Sequence, residues 1–271
     1  MTRAIGILTL LICAAAASRC TTPSADAPTG SSKPRVLLAV FAHPDDETSV
    51  TPVLARYAAE GVKVYLAIAS DGRYGVTEHA HIPAGDSLAA KRVSELECAA
   101  QQLGIEPPIR FGLHDQFKMQ GGFGPVHDQL AEMRTQVTRL FEELKPDAVI
   151  TWPASGWSGH HDHRLVHAVV TEVYESKDWG SHPANLFYPG IPAGKLPDAA
   201  GPFAVMDSTW LTVKVTASKE NYEQAAQALY CHESQYTREQ MDGMRGMISS
   251  ALGDVTWFRP HHGAPKGLFN D

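Results

Sequence analysis

Short apolar runs alternate with amphipathic stretches along most of the chain, and this alternation predicts strands that alternate with helices. Residues 35–42, 63–70 and 147–152 are continuous apolar runs bounded by turn residues, a pattern that is typical of buried parallel strands. A shorter strand is predicted at residues 109–113. Helices are predicted between and after these strands, over residues 46–60, 86–103, 126–144 and about 162–174.

The remainder of the chain continues the alternation, with strands predicted at residues 186–188 and 210–215 and helices at 219–230 and 237–247. Strand, helix and strand in this order form a right-handed unit whose two strands are parallel. The element order therefore predicts an α/β fold, a three-layer sandwich with a mainly parallel sheet. No linker-like break or internal repeat divides residues 35–271, so a single domain is expected. In such folds, ligands bind beyond the carboxyl ends of the strands.

Residues 1–20 have the pattern of a signal peptide. A basic residue comes first, residues 5–17 form an apolar run too short to cross a bilayer, and small residues follow. We therefore expect an exported protein, periplasmic or secreted. Cys20 leaves open a lipid anchor on the membrane, although Arg19 is a poor fit to the small residue that lipid processing requires. Residues 21–34 are rich in Pro, Ser, Thr and Gly, and they are predicted to form a flexible tether.

Composition narrows the range of partners. The 271 residues carry 23 basic and 30 acidic side chains, and no cluster of Lys and Arg stands out. A nucleic-acid partner is therefore not expected, which leaves a small molecule or a glycan. Cys98 and Cys231 are the cysteines of the predicted domain, and either a disulfide or two buried thiols fits their positions in predicted helices. No Cys-x-x-Cys pair is present, so nothing supports a cysteine-based zinc site.

Two groups of histidine and acidic residues follow predicted strands. The first, His43–Glu47, comes directly after the strand at residues 35–42, and the second, His160–His163, lies in the loop after residues 147–152. Because the carboxyl ends of parallel strands share one edge of the sheet, we expect the two groups to meet. Hydrolysis at a zinc ion needs three ligands from histidine and carboxylate, with the fourth position left open.

Each residue type in these groups suits one part of such a reaction. His43 and Asp46 can converge on one ion, and a histidine of the second group can complete the ligand set. Asp45 is then a carboxylate beside the metal that remains free to act as the general base. A second histidine of the later group can stabilise the charge that develops on the carbonyl oxygen. This combination predicts a metal-dependent hydrolase.

Other interpretations of the same residues stay open. Acidic residues at the start of a helix are favoured by capping and by the helix dipole without any metal, and loop histidines are ordinarily solvated. Asp162 can serve simply as a helix cap. A non-catalytic protein that binds sugar or metal, or a hydrolase of esters or phosphoesters, would be built on a similar scaffold. The presence of both groups at matching strand ends favours a metal site over capping and solvated histidines. Ligands for only one metal argue against phosphoester cleavage, which often uses two.

The first group belongs to a longer run, AHPDDE, and the second to the run GHHDH. Both runs resemble motifs of the PIG-L/LmbE-like zinc de-N-acetylases, and AHPDDE is the specific one. The resemblance covers roughly residues 35–235, and its weaker matches follow in the family's order: Lys91–Leu96 (KRVSEL), Leu103-Gly104, Pro146-Asp147 and, faintly, His232–Gln235 (HESQ).

The resemblance implies a Rossmann-like fold and removal of N-acetyl groups, often from substrates that contain N-acetylglucosamine. It also implies one zinc ion per chain, held by three ligands: His43, Asp46 and His163. By the same match, Asp45 is the general base and His160 assists with charge at the carbonyl. Two features depart from the family: His161 stands where proline is usual, and residues 70–75 lack the usual pattern of threonine, glycine and acid. Since that loop is expected to shape substrate choice, the resemblance does not name the substrate.

Three further residues are predicted to contact the substrate. Arg92 matches an arginine of the family's substrate pocket, although a solvated helix arginine paired with Glu95 is an equal alternative. Trp157 adjoins the second group and suits stacking on a sugar ring, although aromatic residues at strand ends more often belong to the core. Asp115 follows another strand on the same edge, where it can bind sugar hydroxyls or cap a helix.

Overall fold

The computed structural model describes residues 33–196, 203–247 and 254–269. The described residues from position 34 onwards belong to one compact unit. The predicted signal with Cys20, and the predicted tether up to residue 32, lie outside the described residues. Among the helices of the described stretches, none combines the length and the apolar character needed to cross a membrane.

An eight-stranded sheet runs through this unit. Its strands are Val36–Phe41 (β1), Lys63–Ser70 (β2), Ile109–Leu113 (β3), Ala148–Thr151 (β4), Asn185–Pro192 (β5), Val205–Met206 (β6), Val213–Thr216 (β7) and Val255–Pro260 (β8). The order across the sheet is β3-β2-β1-β4-β5-β8-β7, and β6 pairs with β5 beside this path. The pairs from β3 to β5 are parallel, whereas β8 runs antiparallel to both β5 and β7.

Helices cover both faces of this sheet. They are Thr51–Ala59 (α1), Asp86–Leu103 (α2), Phe123–Leu144 (α3), Gly156–Gly159 (α4), His161–Glu175 (α5), Lys219–Leu229 (α6) and Arg238–Met247 (α7). Alternate residues of β1 belong to different cores: Leu37 and Phe41 pack with α1 and α2, whereas Leu38 and Val40 pack with α3 and α5. Two cores on one sheet make a three-layer sandwich, so the predicted single-domain α/β fold is confirmed.

The predicted helix at residues 46–60 is broken in two. Asp46–Ser49 form a 3-10 turn, and α1 begins after it. Oδ2 of Asp46 accepts hydrogen bonds from the backbone N–H groups of Ala42 and His43, which holds the turn against the end of β1. Pro52 lies in the first turn of α1, where its missing N–H removes no hydrogen bond. The break therefore keeps the Asp46 side chain at the strand end.

The sequence pattern missed β8. Within this strand Phe258 is fully buried, whereas Trp257 is partly exposed and Arg259 is exposed. Such a half-buried strand gives a weaker apolar run than β1, which is buried along its whole length. The two-residue strand β6 was missed as well, because so short a segment has no pattern of its own.

A disulfide joins Cys98 in α2 to Cys231 just after α6, with the two Cα atoms 5.8 Å apart. Of the two alternatives that the sequence left open, the buried free thiols are therefore wrong. The bond connects residues that are 133 positions apart, and it fastens the segment that follows α6 to α2.

Replacing Cys231 by Ser should lower the free energy of unfolding by about 2–5 kcal/mol, because the cross-link restricts the unfolded chain. The measurement is equilibrium urea unfolding of the wild-type protein and of Cys231→Ser, each without and with reductant. Reductant should destabilise the wild-type protein by a similar amount and should have no further effect on Cys231→Ser. Equal midpoints for all four samples would contradict a stabilising cross-link.

Candidate active site

Four strand ends surround a cavity of about 480 Å³. The loops after β1, β2, β3 and β4 each contribute to its wall, as expected for the carboxyl edge of a parallel sheet. The wall includes all eight side chains that the sequence predicts for the site: His43, Asp45, Asp46, Arg92, Asp115, Trp157, His160 and His163. The two sequence groups therefore meet in this cavity.

The carboxylate of Asp46 is fixed by hydrogen bonds to one of its two oxygens. Oδ2 accepts from the backbone N–H groups of Ala42 at 2.9 Å and His43 at 2.8 Å, and from Nε1 of Trp152 at 3.1 Å. Oδ1 is left to face Nε2 of His163 at 3.2 Å. Burial alone would raise the pKa of Asp46, but His163 and His43 hold it well below its usual range. Asp46 therefore presents one charged oxygen to the histidines.

Two histidines have one ring nitrogen held by an acceptor and the other turned towards Asp46. Nδ1 of His163 lies 3.0 Å from the carbonyl oxygen of Gly156 and donates to it, so Nε2 is the nitrogen that faces Asp46. Nε2 of His43 donates to Oδ2 of Asp162 at 3.0 Å, which leaves Nδ1 at 3.6 Å from Oδ2 of Asp46. Histidines that bind metals are usually oriented in this way by a carbonyl or carboxylate on the far nitrogen.

The charge on His43 depends on whether an ion is present. Burial alone would lower the pKa of His43, but Asp115, Asp162 and Asp46 together hold it well above its usual value. These carboxylates favour the protonated imidazole, so a metal that binds here would compete with a proton.

His160 has the opposite hydrogen-bond arrangement. Its Nδ1 accepts the backbone N–H of Asp162 at 3.2 Å, so the proton of the neutral ring is on Nε2. Burial, together with His43 and His163, lowers the pKa of His160 to about 4, which keeps the ring neutral near pH 7. Nitrogens of His43, His160 and His163 lie within 4.8 Å of one another, but the tautomer makes His160 a donor. His161, which stands where the family usually has proline, is exposed, and its Nε2 lies 3.0 Å from Oδ1 of Asp162.

Asp45 lies beside these residues and both of its carboxylate oxygens are held. Oδ1 accepts from Nη2 of Arg92 at 2.6 Å, and Oδ2 accepts from the hydroxyl of Tyr236 at 2.9 Å. The backbone of Asp45 has φ 101°, a conformation that is strained for a residue with a side chain. Its N–H donates to Glu47, and Arg92 also donates to the carbonyl oxygen of Pro44, so the surroundings fix the strained turn. Burial raises the pKa of Asp45, while the charge of Arg92 opposes this rise.

Tyr236 was missed by the sequence analysis, although the weak HESQ match ends one residue before it. Buried contacts hold the segment that carries Tyr236 against the turn after β1 and against α2. His232 and Glu47 are both fully buried, and Nε2 of His232 lies 2.5 Å from Oε1 of Glu47. Ser234 donates twice to the carboxylate of Glu95, from its backbone N–H at 2.8 Å and from its hydroxyl at 2.6 Å. Those contacts, together with the disulfide, place the Tyr236 hydroxyl on Asp45. The order of the motif along the chain was the only available signal.

The three predicted substrate contacts differ in their surroundings. Arg92 is buried and bound to Asp45, so the alternative of a solvated arginine paired with Glu95 is wrong. Asp115 is also buried; its Oδ1 accepts from the N–H of Gln116 at 2.9 Å, and its Oδ2 accepts from the N–H of Tyr74 at 2.8 Å. Burial would raise the pKa of Asp115, but His43 brings it down to about 2. Trp157 packs against Trp152, with ring centroids 5.7 Å apart, and lines the cavity.

An α/β sandwich with two histidine–carboxylate groups at one carboxyl edge defines a class of protein with a candidate metal centre. The chain matches the family model described as "PIG-L: GlcNAc-PI de-N-acetylase" over residues 38–174, about half of its length and all of both groups. The chain therefore belongs to the PIG-L family, as its motifs predict.

Individual proteins agree with this assignment. The 1D-myo-inositol 2-acetamido-2-deoxy-alpha-D-glucopyranoside deacetylase of Mycobacteroides abscessus is 29% identical over 264 residues, which cover 85% of this chain and 93% of that protein. The N,N'-diacetylchitobiose deacetylase from Pyrococcus horikoshii has a similar structure, with a TM-score of 0.60, 17% identity and 84% of each chain covered. The zinc inhibited form of teicoplanin deacetylase Orf2 also has a TM-score of 0.60 at 17% identity, covering 83% of this chain and 97% of that one.

These findings confirm the prediction of a metal-dependent deacetylase and correct another one. The prediction of an exported protein, periplasmic, secreted or lipid-anchored at Cys20, is wrong by this comparison. The relative that the chain covers almost completely is named for a small inositol glycoside, and its name describes no exported or anchored protein. An apolar run as short as residues 5–17 is not specific to export signals.

Replacing Trp152 by Phe should weaken metal binding about tenfold to a hundredfold. Phe keeps an aromatic ring against His163, which stacks on Trp152 at 4.3 Å, but it removes the donor to Asp46. The measurement is zinc affinity by competition with a chromogenic chelator. Trp179→Phe is the control, because Nε1 of Trp179 donates to backbone carbonyls away from the cavity. Unchanged affinity in Trp152→Phe would contradict the role of this hydrogen bond.

Proposed function

We propose that this chain is a zinc-dependent deacetylase that removes the acetyl group from an N-acetylglucosamine-type sugar or a related N-acyl substrate. The observation that carries the proposal is the position of Asp45. This carboxylate is held by two donors next to the group of His43, Asp46 and His163, yet it is not needed as a ligand. A protein that only bound metal or sugar would have no use for a base fixed in this place.

The side chains fit one zinc ion. His43, Asp46 and His163 would hold it, since a hydrogen bond to the other ring nitrogen or to the other carboxylate oxygen sets the orientation of each side chain. A bound zinc ion would supply Lewis-acid polarisation of the amide carbonyl and of the attacking water. Three ligands from one Asp and two His residues leave a further position for these groups.

The remaining residues account for the proton transfers. Asp45 accepts a proton from the attacking water while the water oxygen bonds to the acetyl carbon. The Nε2–H of His160 donates to the carbonyl oxygen as its negative charge develops. Asp45 then returns the proton to the nitrogen as the C–N bond breaks, which releases acetate and the free amine. The raised pKa of Asp45 suits a group that must both take and give a proton.

Support for the substrate class comes from the cavity and from the relatives. Trp157 would stack on a sugar ring, and Asp115 would accept hydrogen bonds from sugar hydroxyls at the edge of the cavity. Arg92 lines the same wall and would touch the sugar while it holds Asp45. The inositol glycoside and the diacetylchitobiose in the relatives' names both contain a 2-acetamido sugar.

The deciding experiment is acetate release from N-acetylglucosamine and diacetylchitobiose by the purified protein, with and without a chelator. Release that stops with chelator and returns with zinc would establish the reaction. A protein that contains one zinc per chain and binds these sugars without releasing acetate would instead support the non-catalytic binding protein. A wider panel of N-acyl compounds then tests for a different acyl substrate.

Asp45→Asn should keep its zinc and lose kcat by about a hundredfold or more, because the amide cannot accept the proton. His163→Ala should lose the zinc itself, since two ligands hold the ion poorly. Metal content by elemental analysis and acetate release are measured on the same samples. His161→Ala is the control, because this exposed side chain does not line the cavity. Full activity in Asp45→Asn would exclude Asp45 as the base.

Tyr236→Phe should lower kcat about tenfold to a hundredfold with KM and zinc content unchanged, because it removes a hydrogen bond to the charged base. That bond stabilises the charged form of Asp45, so its loss should raise the pKa of Asp45. The acidic limb of the kcat/KM profile should therefore move to higher pH. Tyr230→Phe is the control, since its hydroxyl donates to the exposed Asp242. Identical profiles for Tyr236→Phe and the wild-type protein would contradict the assignment.

A further inference from the structure

The cavity continues beyond the candidate metal centre into a second region with a different chemical character. We call this region the apolar arm and define it by six lining residues: Ile191, Phe203, Ala226, Leu229, Met244 and Trp257. They come from β5, from the segment before β6, and from α6, α7 and β8. Ile191, Ala226 and Leu229 are almost completely buried, so this wall is packed in place by the fold.

The apolar arm offers few partners for hydroxyl groups. The polar groups of the lining from the same helices and strands are the side chains of Tyr222, Arg245 and Thr256 and the buried indole N–H of Trp257. Arg245 is already paired with Glu223, with Nη2 and Oε1 2.5 Å apart. A ring such as inositol carries a hydroxyl on every carbon, so these few groups would leave most of its hydroxyls without the hydrogen bonds that they make to water. An alkyl chain or an aromatic ring loses none and gains from leaving water.

The two regions of the cavity also differ in their relation to the family. The residues of the candidate metal centre, from His43 to His163, all lie within the family match at residues 38–174. The six residues of the apolar arm all lie after residue 174. The arm therefore belongs to the part of the chain in which a preference of this protein can differ from the family's reaction.

We propose that the apolar arm binds an apolar substituent of the substrate, so that the preferred substrate is an N-acyl amino sugar that carries an alkyl or aryl group. The substituent is either an aglycone on the sugar or a longer N-acyl chain, since both have the chemistry that this wall accepts. The proposal rests on the proposed deacetylase function. It separates this chain from a deacetylase that is selective for an inositol glycoside.

The test uses two series of compounds with the zinc-loaded full chain. One series is N-acetylglucosamine with methyl, butyl and octyl aglycones, and the other is methyl glucosaminide with acetyl, butanoyl and octanoyl amides. The free amine formed is measured in both series below the micellar concentration. Each methylene that enters the arm should raise kcat/KM by up to about fourfold. We expect at least about a tenfold rise from the shortest to the longest member of one series.

Two variants test whether such a rise in kcat/KM depends on the apolar arm. Met244→Glu puts a charge on the arm, and Ala226→Leu fills it, so each should bring the ratio of kcat/KM for octyl to methyl compounds close to one. Gln227→Glu is the matched control, because it makes the same change in charge at an exposed position of α6 outside the cavity. A rise that persists in both arm variants would overturn the proposal.

The possible outcomes test the apolar arm and the deacetylase function separately. Hydrolysis of the methyl compound with no rise in either series would overturn the arm and leave the deacetylase function standing. If no compound yields free amine, the deacetylase function fails, and calorimetric binding of the same compounds then decides. Affinity that increases with chain length and falls in Met244→Glu would support the arm, and equal affinities would overturn it.

Discussion

The candidate metal centre depends on the three hydrogen bonds that converge on Oδ2 of Asp46. Two of the donors are backbone N–H groups at the end of β1, and the third is the indole of Trp152 after β4. Because these donors come from adjacent parallel strands, the position of the carboxylate follows from the pairing of β1 with β4. The same arrangement turns Oδ1 towards His163. The candidate metal centre is therefore built where two paired parallel strands end.

The proposed general base, Asp45, depends on a different part of the chain. Asp45 sits in a strained turn, and the contacts that keep it there come from α2 and from the segment after α6. Strain of this kind persists only where surrounding structure fixes it. Glu47 contributes twice, since it accepts the N–H of Asp45 and pairs with the buried His232. Different contacts therefore hold the candidate metal ligands and the proposed base.

The sequence could predict those features of the fold and site that a local pattern of residues determines. Continuous apolar runs identified β1, β2 and β4, and the residues that follow them identified the two groups that meet in the cavity. It could not predict the proton positions on His43 and His160, because these depend on contacts with Asp162 that form only in the fold. Trp152 and Tyr236 were beyond its reach for the same reason, since each bonds to a carboxylate more than a hundred residues away.

At residues 5–17 the local pattern led to a wrong prediction, because a short apolar run was interpreted as an export signal. Short apolar runs have several origins, and composition does not distinguish them.

The two parts of the cavity also differ in how far the sequence predicts them. The residues of the reaction lie in short motifs at strand ends, so the sequence is enough to predict the reaction class. The apolar arm is assembled from six residues of five segments, and no short motif contains them. Substrate preference can therefore change in this fold while the motifs of the reaction stay the same.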